Sequence, residues 1–199
     1  MSEYVLPGPI ARVTTAPVQE PVSLSEMKAH LRVDHGHEDG RILQLIEAAR
    51  EMVEADAEVS LCPQTLTIYM DCFPCWEIPL RRPPVNSITS ISYVDSDGTT
   101  QTLASTEYRF DPYGKPARLT PAYGEVWPVT RDVTNAVTIV AAAGHSSVSA
   151  VPALAKQAIK LLVAHWYENP EAILVGSISK ELELSYRAII SRFSWSGYA

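Results

Sequence analysis

The sequence predicts an α+β protein: a small framework of three to four helices with a large antiparallel β insertion between the second and third helices. Three observations predict it. Helical patterning covers about residues 23–57, period-2 alternation runs over about residues 59–144, and helical patterning returns over about residues 152–193. Because the chain has 199 residues, 46% of them hydrophobic, it can bury a sizeable core, and we expect a single domain over residues 23–199.

The start of the chain, residues 1–22, is predicted to be an extended arm, because it is rich in proline and has no apolar periodicity. The first helix follows at once. Ser23 can cap its amino end, and Glu26, three residues later, completes a capping box. We expect this helix to end near Arg32.

The second helix is the best-defined element of the sequence. Six apolar residues share one stripe about 120° wide, which is typical of a helix packed on a core. They are Ile42, Leu45, Ile46, Ala49, Met52 and Val53. Glu47, Glu51 and Glu54 lie outside the stripe, and we expect them to face water.

The middle of the chain alternates apolar and polar residues with period 2, as in Leu66, Ile68 and Met70. The sequence Asp95-Ser96-Asp97-Gly98 has the turn chemistry that joins a hairpin, and Tyr108–Asp111 can add a short strand. Frequent prolines require short strands, so we expect a small antiparallel sheet or an open barrel.

A long loop within this region, from Pro112 to Asp132, carries Tyr113, Tyr123 and Trp127 among glycine and proline. A rigid aromatic loop of this length often makes a binding contact. The alternative is that the three rings simply cover the sheet.

The third helix should begin near Pro152 and end before Asn169. Its apolar face sweeps about 200°, roughly twice what packing on one small core requires. Either a neighbouring subunit or the chain's own β region could cover the second side. Under the first alternative, Leu154, Ala158 and Leu161 are candidates for the subunit interface.

A fourth helix is predicted over about residues 183–193, and the chain then ends in aromatic residues. Trp195 and Tyr198 are unusual in a free tail, because ordering such rings is favourable only if they are buried. They could dock on a partner or fold back onto the parent domain.

Composition and motifs exclude several classes of function. A net charge of −7 argues against a nucleic-acid reader. The chain lacks the phosphate-binding, dinucleotide-binding, hydrolase-elbow and zinc-protease motifs, and we expect neither an enzyme nor a cofactor. No apolar stretch is long enough to span a membrane and no signal peptide is evident, so we expect a soluble intracellular protein.

Two clusters of possible metal ligands give only weak evidence for a metal site. Cys72 and Cys75 have CxxC spacing, but a lone pair without a second ligand pair is more simply explained as reduced thiols. His30, His35 and His37 match no known ligand spacing, and a polar turn between helices explains them. We therefore expect no metal site.

Four stretches, in this order, resemble the head-tail connector (adaptor) proteins of long-tailed bacteriophages and phage-like particles. They are VSLSEMKAHLRVD, LIEAAREMVEA, LRRPPVNSITSISYVDSDG and AIKLLVAHWYENPEA, and the resemblance extends from Ser23 to about Glu171. It implies a structural virion protein that forms a ring of about a dozen copies, a dodecamer, under the portal. Such a ring extends the DNA channel and joins the capsid to the tail.

The resemblance also implies partners and a location. The partners are further copies of the chain, the portal protein, a downstream neck or tail-terminator protein, and double-stranded DNA that passes without sequence-specific binding. No membrane is involved. The protein would be assembled in the host cytoplasm and reside in the virion neck.

Site residues follow from the same resemblance. The candidates for portal contact are Arg192, Phe193, Trp195 and Tyr198, and the candidates for lining the channel are Glu47, Glu51 and Glu54. Another neck or tail-completion protein has the same composition and is an alternative. A small terminase subunit is a weaker one, because it needs a basic pair of DNA-binding helices and the second helix is rich in glutamate.

Overall fold

The computed structural model describes residues 9–114, 116–169 and 180–194, and divides the chain into two compact units. The β unit comprises residues 9–16 and Pro63–Gly144, and the helical unit comprises Pro17–Cys62 and the residues from His145 onward. A large antiparallel β region lies between the second and third helices, so the predicted α+β fold is confirmed. Within the described ranges, no helix combines the length and the apolar character needed to cross a membrane.

The helical unit contains four α-helices and one short 3-10 turn among its described residues. They are α1 (Leu24–Leu31), α2 (Asp39–Ala57), the 3-10 turn (Val148–Ala150), α3 (Ala153–Glu168) and α4 (Lys180–Ile190).

The amino end of α1 is capped as the sequence predicts. The Ser23 hydroxyl accepts a hydrogen bond from the Glu26 N–H at 3.2 Å, which satisfies one of the free donors of the first turn. The helix ends at Arg32, whose φ of 58° lies in the left-handed region, and its N–H is donated to the Ala29 carbonyl. The predicted bounds of this helix are confirmed.

The apolar stripe of α2 forms half of the core of the helical unit. Its residues are buried or packed against that core, as predicted: Ile42, Ile46, Ala49 and Val53 are buried, and Leu45 and Met52 are partly buried. The helix ends at Glu58, which has a φ of 53°. This left-handed residue turns the chain back along the end of α2.

The third helix supplies the other half of the core. It begins directly after Pro152, as predicted, and five of its residues are fully buried: Ala155, Ala158, Ile159, Leu162 and Val163. α1, α2 and α4 all pack against α3. Its apolar face is wide because three helices of its own unit cover it.

The β unit contains eight strands among its described residues. They are β1 (Ile10–Thr15), β2 (Gln64–Met70), β3 (Ile78–Leu80), β4 (Val85–Val94), β5 (Thr100–Thr102), β6 (Tyr108–Asp111), β7 (Ala117–Pro121) and β8 (Val137–Ala143). They form a five-stranded sheet of order β1-β2-β8-β4-β5 and a three-stranded sheet of order β3-β7-β6, both antiparallel.

The edge strand β1 differs from the sequence prediction. An extended arm was predicted over residues 1–22, but residues 10–15 pair with β2, with Ile10 opposite Tyr69 and Val13 opposite Leu66. Backbone hydrogen bonds to β2 hold this segment, and its side chains are largely exposed. It therefore needs no apolar pattern of its own, which is why apolar periodicity did not predict this strand.

The two sheets share one core. Alternate residues of each strand point into it, including Leu66 and Ile68 of β2, Ile139 of β8 and Leu119 of β7. The predicted hairpin turn is confirmed: the Asp95 carboxylate accepts hydrogen bonds from the N–H groups of Asp97 (3.0 Å) and Thr99 (2.8 Å) between β4 and β5.

Candidate assembly surfaces

Of the three α2 glutamates that were predicted to face water, two do so. Glu47 and Glu51 are exposed, but Glu54 is buried. The prediction that Glu54 faces water is therefore wrong, and a buried side chain cannot line a channel. Glu47 and Glu51 remain candidates for the channel lining.

Glu54 is buried because it has partners inside the helical unit. One carboxylate oxygen accepts a hydrogen bond from the Leu61 N–H at 2.7 Å, and the other lies 3.2 Å from an Arg50 nitrogen. Arg50 is also buried, and its Nε donates to Glu20 at 2.9 Å. Burial raises the pKa of Glu20, against the opposing effect of the Arg50 charge.

The three α3 residues predicted for a subunit interface differ in how far they are buried. Ala158 is fully buried against the helical core and offers no surface to another subunit, so this part of the prediction is wrong. Leu161 is half-buried, and Leu154 is exposed at the start of the helix. A subunit interface at Leu154 and Leu161 stays a prediction.

The turn after α4, residues 191–193, contains two of the four candidates for portal contact. Arg192 is exposed, whereas Phe193 packs partly against the helical core. Trp195 and Tyr198 lie outside the described residues. The helix is anchored by the buried Tyr186, whose hydroxyl donates to the Asp56 carboxylate of α2 at 2.8 Å.

The aromatic segment of the β unit is not the single loop that was predicted from Pro112 to Asp132, because β7 (Ala117–Pro121) lies within it. Tyr113 precedes this strand, whereas Tyr123 and Trp127 follow it. Trp127 covers the sheet: its indole N–H donates to the Trp76 carbonyl at 2.7 Å, and its ring stacks on Phe73 with centroids 5.0 Å apart. Tyr113 and Tyr123 are 92% and 101% exposed. Trp127 therefore covers the sheet, as one alternative predicted, while the rings of Tyr113 and Tyr123 project into solvent on either side of β7 in the sequence.

A concave site lies on the outer face of the three-stranded sheet. It has a volume of about 510 Å³ and is lined by Trp76, Arg109, Phe110, Asp111, Pro112, Tyr113, Arg118 and Thr120. Arg118 bridges Asp111 (3.2 Å) and Glu77 (3.1 Å), whereas the side chain of Arg109 has no ion pair with a described residue.

Sequence reasoning missed this concave site, although the two strands carry a signal for it. In β6 and β7, alternation directs Phe110 and Leu119 inward and places Arg109 and Arg118 on the opposite face. Arg118 lies opposite Asp111 because of the register between β6 and β7. Period-2 alternation alone does not specify that register.

Possible catalytic or metal-binding groups are not gathered anywhere in the described part of the chain. No cluster of three or more His, Cys, Asp or Glu side chains there could hold a metal ion. Cys62, Cys72 and Cys75 are free thiols, and burial raises the pKa of Cys62 to about 11. His35 and His37 contact each other in the turn between α1 and α2, with ring centroids 5.7 Å apart.

Chains of known structure share this fold over nearly its whole length. One is a chain of the structure described as "Neck of empty GTA particle computed with C6 symmetry", with a TM-score of 0.76 and 24% identity over 93% of this chain and 95% of that chain. A second comes from "Virion of native gene transfer agent (GTA) particle", with a TM-score of 0.75, 23% identity and the same two coverages.

A third comes from "Neck of native GTA particle computed with C12 symmetry", with a TM-score of 0.74 and 23% identity over 93% of this chain and 94% of that chain. At these identities the likeness shows a common fold. No curated protein matches the chain.

A family model supplies the comparison at the level of sequence. The model described as "Phage gp6-like head-tail connector protein" matches residues 21–108. The matched segment contains α1, α2 and the strands from β2 to β5, including three of the four stretches that suggested the resemblance. Over residues 21–108, the chain is thus similar to the phage head-tail connector proteins, as its sequence predicted.

Proposed function

We propose that this chain is a structural protein of the neck of a phage or phage-like particle, where it acts as a head-tail connector. The match of residues 21–108 to the connector family carries the proposal, because that segment includes parts of both compact units. The fold shared with chains of gene transfer agent particles, over 93% of this chain, supports it.

In this role, about a dozen copies form a ring under the portal and extend the DNA channel toward the tail. Two of the similar chains belong to necks computed with C6 and C12 symmetry, which supports a cyclic arrangement. The partners are then the portal on one side, a downstream neck or tail-terminator protein on the other, and DNA in the lumen.

The charge of the chain suits passage of DNA. At −7 per copy, a ring of about a dozen copies is strongly acidic, and Glu47 and Glu51 are exposed acidic side chains on α2. If that face lines the lumen, like charges prevent the DNA backbone from adhering. The DNA would then pass without sequence-specific contacts.

The deciding experiment is to purify the chain and image it by negative stain, with light scattering for mass, both alone and mixed with the portal from the same genome. We expect rings, formed either spontaneously or only on the portal. The matched control is the portal incubated with an unrelated acidic protein of similar size. A stable monomer that ignores the portal would contradict the connector function and favour another neck component.

A further inference from the structure

Two features of the β unit carry exposed aromatic rings together with exposed side chains of opposite charge. The first is the tip, defined as residues 122–126, and the second is the concave site on the outer face of the three-stranded sheet. We propose that the tip of one copy binds in the concave site of the next copy. This inference rests on the proposed function, because it requires the chain to assemble with itself.

The tip displays apolar groups that the described chain leaves uncovered. Tyr123 is 101% exposed and Val126 is 84% exposed. An aromatic ring fully in water is a large apolar surface that burial in a partner would stabilise. The Tyr123 ring covers no other group among the described residues, so a contact with another molecule would give it a role.

The tip also forms a hydrogen-bonded turn within one copy. The Glu125 N–H donates to the Ala122 carbonyl at 2.9 Å, which closes a tight turn in which Gly124 has a φ of 85°. Directly after the tip, Trp127 is fixed to the Trp76 carbonyl. A preformed loop loses little conformational entropy on binding.

The concave site has the size and chemistry to receive this tip. Its volume of about 510 Å³ lies within the range of roughly 300–1,000 Å³ that is usual for sites that enclose a compact ligand. Trp76 and Tyr113 line it and are 65% and 92% exposed, so both offer ring surface to an incoming tyrosine.

The charged side chains indicate how the tip is oriented in the concave site. Glu125 is exposed and has no ion pair with a described residue. Arg109 lines the site and is likewise without an ion pair in the described chain, whereas Arg118 already bridges two carboxylates. With the Tyr123 ring between Trp76 and Tyr113, Glu125 two residues on would pair with Arg109 of the receiving copy.

We infer a heterologous contact, in which each copy donates its tip to one neighbour and receives a tip from another neighbour, rather than a reciprocal exchange of tips between two copies. A heterologous contact repeated around an axis closes into a ring when the rotation between copies permits it. Cyclic assemblies of the kind proposed for this chain need such a contact, whereas a self-complementary patch would give only dimers.

Photo-crosslinking tests the contact directly. Tyr123 is replaced by p-benzoylphenylalanine, the assembled rings are illuminated, and mixed ¹⁴N- and ¹⁵N-labelled copies distinguish crosslinks between copies from those within one. We expect crosslinks between copies from position 123 to peptides containing Trp76 or residues 109–120. The control carries the same probe at Val18, which is almost fully exposed in the helical unit and should not crosslink to those peptides.

Charge reversal tests the pairing. Glu125→Arg and Arg109→Glu should each weaken self-association at least about tenfold, because each places like charges together, and the double variant should restore most of it. Asp97→Arg, an exposed reversal elsewhere in the β unit, is the matched control and should assemble normally. Thermal melts of all variants should coincide, since both reversed side chains are exposed.

The outcomes separate this inference from the proposed function. Rings that form normally but crosslink elsewhere, or that tolerate both single reversals, would overturn the tip-to-site contact while the connector function stands. Chains that associate neither alone nor on the portal would overturn both. Weakened assembly in each single variant with recovery in the double variant would support the contact.

Discussion

The Glu54 carboxylate accepts a hydrogen bond from the Leu61 N–H at 2.7 Å, across the left-handed turn that ends α2. Its second oxygen lies against Arg50, so two buried groups of opposite charge and one backbone donor satisfy one another. This network joins the end of α2 to the segment that leaves it. A glutamate that the helical pattern assigned to the surface therefore contributes to the interior.

Replacement of Glu54 should be strongly destabilising. Glu54→Leu leaves Arg50 buried with only part of its charge compensated, and the free energy of unfolding should fall by about 3 kcal/mol. Glu47→Leu, at an exposed position of the same helix, should change it by less than about 0.5 kcal/mol. Urea titrations of both variants measure the difference, and equal losses would contradict the buried network.

The ion pair between Glu26 and Lys160 should give the helical unit a pH-dependent contribution to stability. Its atoms are 2.7 Å apart, and the Lys160 hydrogen bond lowers the pKa of Glu26 below its ordinary value of 4.5. A lowered carboxyl pKa means that the stabilisation is present above the unfolded value and is lost as the pH falls through the folded value.

Lys160→Met should therefore lower the free energy of unfolding by about 0.5 kcal/mol at neutral pH, a size appropriate to a pair whose carboxylate is partly exposed. The difference from wild type should disappear near pH 2, where the carboxyl is protonated in both states. Urea titrations at the two pH values make the measurement. If the two free energies of unfolding still differed at pH 2, the difference would come from packing of the Lys160 side chain and not from the ion pair.

Trp127 should stabilise the β unit through both its ring and its N–H. Trp127→Phe keeps an aromatic ring but removes the donor to the Trp76 carbonyl, and should cost about 1 kcal/mol. Tyr123→Phe, also an aromatic replacement but in a fully exposed side chain, should leave the free energy of unfolding unchanged. Comparable losses in the two variants would show that Tyr123 is covered within one copy.

Two glycines should respond to alanine in opposite directions. Gly98 has a φ of 88°, which strains any residue with a Cβ, so Gly98→Ala should cost about 1–2 kcal/mol, while the flexible Arg131 side chain, 2.3 Å from the added Cβ, can move aside. Gly40 lies in the first turn of α2 with open space around it, and Gly40→Ala should raise stability by roughly 0.5 kcal/mol. Thermal melting of the two variants provides the test.

Glu47 and Glu51 should affect DNA movement if their face of α2 lines the channel. The double variant Glu47→Lys/Glu51→Lys would attract phosphates, so assembled particles should eject DNA more slowly, increasingly so at low ionic strength. Ejection is followed by the fluorescence of a DNA dye. Particles that assemble normally and eject at the wild-type rate at low salt would exclude a lumenal position for this face.

Helices were the most predictable part of the fold, because their signals are local. The cap at Ser23 and the stripe from Ile42 to Val53 lie within a few turns of chain and needed no information from elsewhere. The order of strands in the sheet was harder to predict from sequence. β2 pairs with β1, which lies more than fifty residues earlier in the chain, and with β8, which lies about seventy residues later. Period-2 alternation identifies strands but does not specify their neighbours.

The errors at the candidate sites have a common physical origin. Helical periodicity placed Glu54 outside the apolar stripe, but a backbone donor seven residues later and Arg50 one turn earlier made its burial favourable. The wide face of α3 predicted a second cover, either a neighbouring subunit or the chain's own β region, yet three other helices cover it, and Ala158 lies among them. In both cases burial depended on tertiary neighbours that a single-sequence pattern does not contain.

The backbone passes between the two units three times, after Ala16, Cys62 and Gly144. Each unit is therefore assembled from two separate stretches of sequence, and no single cut releases both intact. Removing residues 1–16, for example, would leave β2 as an unpaired edge of seven residues, open to pairing with foreign strands. Exchanging one unit for that of a distant relative would require three new junctions in the gene at once. Genetic recombination at a single point therefore cannot exchange one unit and keep the other, so the two units are inherited together.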